Sequence, residues 1–518
     1  MLELDRLLGA VPKGLLREGK KGIEKESLRV KRDGRIARLP HPRALGSALA
    51  HPYITTDYSE ALLEFITPPF PEVRETLVFL VEVHQFVYAQ LHDELLWATS
   101  MPCTLTKEEG GPPIASYGAS NVGVMKHVYR RGLQYRYGGP MQAIAGVHFN
   151  YSLPESFWPV LQEAAHDSRP LDRFVADSYF CLIRNFQRMG WIIPYLFGSS
   201  PAVCKSFLLD RPAGFAELDE HTLFLPYATS LRMSDIGYKN KNQAGLNISY
   251  DNLDEYVASL TQAIEMPFPE YEKIGVVVDG EYRQLNANIL QIENEYYSFI
   301  RPKQLARSGE KPTLALKRRG VQYVEVRALD VDVFEPLGVG EAPLRFLEAF
   351  LIYCLLQESP RISAEERNEL EYNQRMVALY GRDPSLSLLQ HGAQRSFRGW
   401  AGEICAGMSP VCEMLDEGFS ARPYSAALDQ QVAAVKQPER TPSARVLADM
   451  RSRGETFAEF ALRMSLAHEE HFRRSTLTQE RAEYFAQVAR ESVQRQREIE
   501  AADDLPFEDY LSRYFAQS

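Results

Sequence analysis

Apolar residues recur along the chain in two registers. Up to about residue 360, short alternating or β-branched runs are interspersed with stretches of three-to-four spacing, and Gly and Pro punctuate the turns. The alternating runs predict strands over 22–30, 54–57, 61–66, 143–153, 274–278 and 322–329, and the longer period predicts helices over 71–96, 171–189, 253–264 and 341–357. Asp279-Gly280 reads as a hairpin turn, since both positions tolerate positive φ. From 363 onward the pattern is almost wholly helical, over 363–380, 397–417, 443–451, 456–468 and 479–502. No repeat or low-complexity linker divides the chain. The expectation is one α+β unit, with a sheet-containing core over 1–360 and a mostly helical region over 361–518 packed on it. Strands separated by helices and hairpins, without strict β-α alternation, favour a largely antiparallel sheet.

Composition narrows the classes. With 45% hydrophobic and 25% charged residues, the 518-residue chain has apolar mass for a core, which excludes a disordered protein. Its net charge of −11 argues against general binding to nucleic acid or an anionic membrane, while leaving room for a local cationic pocket. The opening MLELDRLLGA lacks the apolar run of a secretory signal, and no stretch approaches the ~20 apolar residues of a membrane span. A cytoplasmic protein is expected, with its six dispersed cysteines as reduced thiols and the Asn247-Ile-Ser249 sequon a coincidence.

Several short patterns carry no chemistry. The run from Gly14 to Lys21 (GLLREGKK) nearly matches a phosphate-binding loop, but Lys21 stands where a hydroxyl should reach Mg²⁺, and the residues before it look helical. His468-Glu-Glu-His471 lacks the zinc-protease spacing and reads as a solvated helix end. Gly338-Val-Gly340 lacks the third glycine of a dinucleotide turn.

The informative residues are carboxylates on strands. In GIEKESLRV (22–30), alternation puts Glu24 and Glu26 on one face with Leu28 and Val30. Two acids on an apolar face are costly unless cations neutralise them; alone, the motif also fits a half-exposed strand end partnered by Lys25 and Arg29. The next run adds Asp57, and period two groups Glu60, Leu62, Glu64 and Ile66. In VQYVEVRALD (321–330), Glu325 and Arg327 share a charged face opposite Val324, Val326 and Ala328. In GVHFNYSLP (146–154), His148 and Asn150 oppose Val147, Phe149 and Tyr151; a lone strand histidine is also compatible with a structural role. Acids on several strands plus one imidazole suggest a cluster of hard divalent cations such as Mg²⁺, with Arg327 placed to meet a phosphate. Arg232, beside small polar residues, suits a carboxylate or a surface ion pair. The run Tyr296–Lys303 mixes aromatics with Arg301 and Lys303.

At these residues the chain resembles the proteobacterial type of glutamate–cysteine ligase. The matching blocks are GIEKESLRV, the run 41–68, MPC, YGASNVG, GVHFNYSLP, WIIPYLFGSSPAVC, LPYATSLRMSDIGY, LQIENEYYSFIRPK and VQYVEVRALD. They follow the family's order from about 22 to 335, and after about 360 PSARVL (442–447) is the clearest echo. The resemblance implies a glutamine-synthetase-like fold, a curved antiparallel sheet forming a funnel lined by metal-binding acids. It implies that Glu24, Glu26, Asp57, Glu64, His148 and Glu325 hold Mg²⁺, that Arg327 clamps the transferred γ-phosphate and that Arg232 holds a substrate carboxylate. Tyr129, Tyr238 and Tyr297 would line a cysteine pocket, and Glu60 would only support the sheet. The implied reaction joins the γ-carboxylate of L-glutamate to the amine of L-cysteine through a γ-glutamyl phosphate, with ATP as phosphoryl donor, in a chain expected to act as a monomer. Rival readings are a γ-glutamyl ligase for another amine, a phosphotransferase on a related sheet, and a non-catalytic metal- or amino-acid-binding relative.

Overall fold

The computed structural model describes residues 2–103, 111–208, 214–237 and 246–517. Seven strands form one open sheet: β1 (Lys20–Lys31), β2 (Ile54–Thr56), β3 (Leu62–Ile66), β4 (Glu94–Leu96), β5 (Gly146–Ser152), β6 (Ile300–Lys303) and β7 (Tyr323–Asp330). Their order is β6-β7-β5-β1-β3-β2, with β4 on the far end of β1, and every pairing is antiparallel. Alternation gives each long strand two unlike faces. Ile23, Val147, Phe149, Tyr151, Val324 and Val326 are fully buried on one of them. Against the sheet lie helices α1 (Val73–Gln90) and α3 (Leu171–Met189), and α4 (Glu341–Leu355) packs on both; α2 (Asn121–Tyr137) stands on the other side, beside the charged face.

The helical region supplies α5 (Phe397–Asp416), α6 (Pro423–Lys436), α7 (Phe457–Arg474), α8 (Gln479–Ala501) and α9 (Phe507–Phe515). It wraps the core: α6 packs on α4, α7 and α8 on α1, and α9 on α2. A hairpin, Ser387–Gln390 with Ala393–Ser396, interrupts the run expected to be nearly all helix; His391 and Gly392 make its turn at positive φ.

Several expectations are corrected. The helix expected over 71–96 stops at Gln90, because Leu95 and Leu96 re-enter the sheet opposite Val30 and Arg29. Of 274–278, Ile274 closes a short helix that ends at Gly275, and only Val277–Val278 pairs with Glu281–Tyr282 across the Asp279-Gly280 turn. Cys103 and Cys204 form a disulfide, not two reduced thiols: the short strand Ala202–Cys204 brings their Cα atoms to 5.5 Å across 101 residues of sequence. The other four cysteines are free. His468 is buried, while His471 is exposed as expected. Among the described residues no helix is long and apolar enough to cross a membrane.

Candidate active site

Register assembles the site. Across β1 and β5, Glu24 stands opposite His148; across β1 and β3, Glu26 stands opposite Glu64. Across β5 and β7, Asn150 faces Glu325, which in turn faces Arg301 on β6. One sheet face thus carries four glutamates, an imidazole and two arginines, Arg301 and Arg327. His148 Nδ1 lies 3.4 Å from Glu24 Oε2 and 3.5 Å from Glu325 Oε1, and its Nε2 lies 3.6 Å from Glu26 Oε1. The Asn150 amide donates to Glu24 Oε1 at 2.8 Å, and Gly146 N donates to Glu26 Oε2 at 2.6 Å. Glu325 accepts from Arg327 Nη1 at 2.9 Å and pairs with Lys303 Nζ at 3.0 Å.

The alternative partners for Glu24 and Glu26 fail for a geometric reason. The pleat sends Lys25 and Arg29 through to the opposite side of β1, where Arg29 pairs with Glu94 at 2.6 Å. Glu60 is not grouped with Glu64 either. It lies in the turn before β3 and accepts from the backbone amides of His41 and Ser116 at 2.7 and 2.8 Å, a supporting role as expected.

A bulge in β7 extends the charged face. Val326 pairs with Phe149 and Leu329 with Val147, so three steps on β7 span two on β5. The extra residue reverses the alternation and turns Asp330, opposite Gly146, to the side of Glu325. Asp330 accepts from Ser199 N, Ser200 Oγ and Ser230 Oγ at 2.8, 2.6 and 2.8 Å, and it lies 3.9 Å from Arg232 Nη1.

Above this face is a cavity of about 410 Å³. Eight expected site residues line it: Glu24, Asp57, Glu64, His148, Glu325, Arg327, Tyr129 and Tyr297. Glu26 and Arg232 are buried beneath its surface without lining it, and Tyr238 lies outside the described residues. Among the cavity contributors that were not anticipated, three carry charge or aromatic rings into it. Helix α2, capped by the Ser120 side chain, presents Lys126 and Arg130 beside Tyr129, and α9 contributes Tyr510 and Tyr514. Glu295 is the third, bonded to Arg136 at 3.0 Å. The spacing of residues 126, 129/130 and 133 was the available signal, hidden in a stretch rich in basic residues.

Charge divides the site. Burial, and then the charges of Glu24, Asp57 and Glu26, push Glu64 well above the usual carboxylate range. Burial also raises Glu26 despite nearby His148. Glu325 resists its burial because Lys303, Arg327, His148 and Arg301 hold it well below that range. In Glu24, burial and Glu325 push upward, but the His148 hydrogen bond with the charges of Lys303 and His148 keeps it low.

The donor set suits a hard divalent cation. Ligand atoms of Glu24, His148 and Glu325 all lie within 4.8 Å of one another. Buried His148 Nε2, on the Glu26 side of the ring, has no hydrogen-bond partner among the described residues, as a nitrogen available to a cation would be left.

Fold and site together suit an enzyme of anionic substrates, with acids placed where a divalent cation could be held beside arginines. The family model described as glutamate-cysteine ligase matches residues 4–377. Glutamate–cysteine ligases of Alcanivorax borkumensis and Azotobacter vinelandii are 49% and 51% identical to this chain, over 98% and 97% of it and 98% and 95% of their own lengths. Similarity therefore continues through the helical region, where the sequence blocks thin out. The crystal structure of the Francisella tularensis glutamate–cysteine ligase in complex with AMP is 36% identical, with a TM-score of 0.91 over 96% of this chain and 97% of that one. A bifunctional glutathione synthetase from Pasteurella multocida shares the fold at 23% identity, with a TM-score of 0.70 over 91% of this chain and 54% of that one. The chain belongs to the glutamate–cysteine ligase family.

Proposed function

We propose that the protein joins the γ-carboxylate of L-glutamate to the amine of L-cysteine, converting ATP to ADP and phosphate and forming γ-glutamylcysteine, the first step of glutathione synthesis. The observation that carries this reading is the single sheet face on which Glu24, His148 and Glu325 converge beside Arg327. A carboxylate is a poor acyl donor. An oxygen of the glutamate γ-carboxylate attacks the γ-phosphorus of ATP, the bond to the bridging oxygen breaks, and ADP leaves. The cysteine amine, having lost its proton, attacks the resulting acyl phosphate, and phosphate departs with the bonding pair. No enzyme nucleophile is required.

Phosphoryl transfer needs positioning and charge neutralisation more than covalent help. Arg327, tethered by Glu325, is the group for the transferred phosphoryl. Glu24, Glu26, Asp57, Glu64, His148 and Glu325 are the candidate holders of Mg²⁺, which when bound would neutralise phosphate and carboxylate charge. Tyr129 and Tyr297 are candidates for the acceptor pocket, and Arg232 for a substrate carboxylate. The helical region and the core act as one catalytic unit, as a monomer, in the cytoplasm where ATP and glutamate are available.

The test is ADP release from ATP–Mg²⁺ with L-glutamate, with and without L-cysteine, and with 2-aminobutyrate as the competing acceptor. Release that requires glutamate and cysteine supports the reading. Release that requires glutamate but is indifferent to the amine overturns the cysteine assignment.

A further inference from the structure

The cavity has a wall made by the far end of the chain. Tyr510 and Tyr514 of α9 line it, although almost two hundred residues separate them from β7. Helix α9 is tied down at both ends. Before it, the Asn121 side-chain amide donates to Leu505 O at 2.9 Å, and the Asn121 backbone amide donates to Asp503. After it, Lys311 Nζ donates to the carbonyls of Phe515 and Gln517 at 2.8 and 3.1 Å, and Gln517 Nε2 donates to Gly309 O at 2.7 Å.

Between these ties α9 packs on α2. Leu511 and Tyr514 form a small hydrophobic cluster with Met125, Val128 and Leu285, separate from the main core, and Tyr129 packs against it. Tyr129 thus belongs to two surfaces at once, as does Met125: Lys126 and Arg130 line the cavity with them, while Val128 packs only in the cluster with α9. Among the described helices and strands, α9 makes the most extensive contact with α2, and Leu285 closes the cluster from another side.

We infer that α9 is a positioning element for the acceptor side of the site: it seats α2 so that Tyr129 meets the amine substrate. This rests on the ligase reading and assigns the end of the helical region a part in acceptor binding. Leu511 touches no cavity surface, so it acts only through the cluster.

The test compares Leu511→Ala with Leu511→Met in the full chain. For Leu511→Ala, KM for L-cysteine should rise at least about fivefold while KM for ATP and L-glutamate stays within about twofold, and Leu511→Met should restore the cysteine value. A second readout needs no turnover: backbone amide exchange should quicken over 121–137 in Leu511→Ala and stay unchanged in β5. Equal rises in all three KM values, an unchanged cysteine KM, or unchanged exchange over 121–137 would each overturn the inference. If the wild-type chain shows no cysteine-dependent ADP release, the ligase reading fails on its own. Exchange over 121–137 then still decides whether α9 seats α2.

Discussion

Replacing Lys25 by methionine should stabilise the protein at neutral pH, and by less as the pH rises. Lys25 lies between Glu24 and Glu26 in sequence, yet points into the core, 5% exposed, with Nζ 2.8 Å from His84 Nε2. His84 Nδ1 lies 2.7 Å from Leu80 O and can only donate there, so Nε2 accepts from the lysine. Burial, then the Lys25 charge, holds the His84 ring well below its ordinary pKa and keeps it neutral. Burial also pulls the Lys25 ammonium from 10.5 to about 7. Between those values the unfolded chain keeps a proton that the folded chain has released, so stability rises with pH. The gap of 10.5 less 7 costs about 5 kcal/mol where both states are protonated and nothing above the unfolded value. About 2 kcal/mol of that cost disappears between about pH 7 and pH 9. At ~2.1 cal/mol/K per residue, 518 residues give an unfolding entropy of ~1.1 kcal/mol/K, so the recovery equals about 2 °C in Tm. Methionine fills a similar volume without a charge. Calorimetry should find the Tm advantage of Lys25→Met shrinking by about that amount across the window. An advantage that is constant or grows with pH would refute the reasoning.

Two further substitutions probe the scaffold beneath the site. Lys21, the last residue of the discarded phosphate-loop motif, forms a fully buried pair with Glu348 at 2.6 Å, so Lys21→Met should cost about 3–5 kcal/mol and lower Tm by about 3–4 °C. Adding Glu348→Gln should recover most of that loss in a double-mutant cycle, and strictly additive costs would show that the pair is not coupled. Gly146→Ala would put a methyl 2.1 Å from Arg232 Nη2, forcing that guanidinium aside. KM for a carboxylate substrate should rise about tenfold with the fold retained, and an unchanged KM for every substrate would remove Arg232 from substrate binding.

What could be read from the sequence was what depends on period two. Glu24 with Glu26, His148 with Asn150, and Glu325 with Arg327 share a face because alternate side chains must. Register could not be read, because the partner of a strand is chosen by residues far away: nothing near Arg29 announces Glu94, and nothing near Cys103 announces Cys204. The bulge at Val326–Leu329 was invisible for a sharper reason. Simple alternation would put Asp330 with Val326 and Ala328, and a single unpaired residue moves it to the charged side. Helix α2 was missed because its apolar residues serve a small satellite cluster, so Lys126, Arg130, Arg131 and Arg136 dominate its pattern.

The division of charge across the sheet bears on how cations would enter. On the β6–β7 side, Lys303, Arg327 and Arg301 keep Glu325 ionised, and His148 helps do the same for Glu24. A divalent cation arriving there would meet the Glu24 and Glu325 carboxylates already ionised. On the β1–β3 side, Glu64 and Glu26 hold their protons more tightly: burial raises both, and at Glu64 the neighbouring carboxylates add to it. A cation bound on that side has to displace protons, so its affinity falls on acidification sooner than affinity on the other side. The same asymmetry relieves the repulsion that makes four glutamates on one sheet face costly. The face is half neutralised by fixed cations, and the remaining half would be neutralised by a bound one.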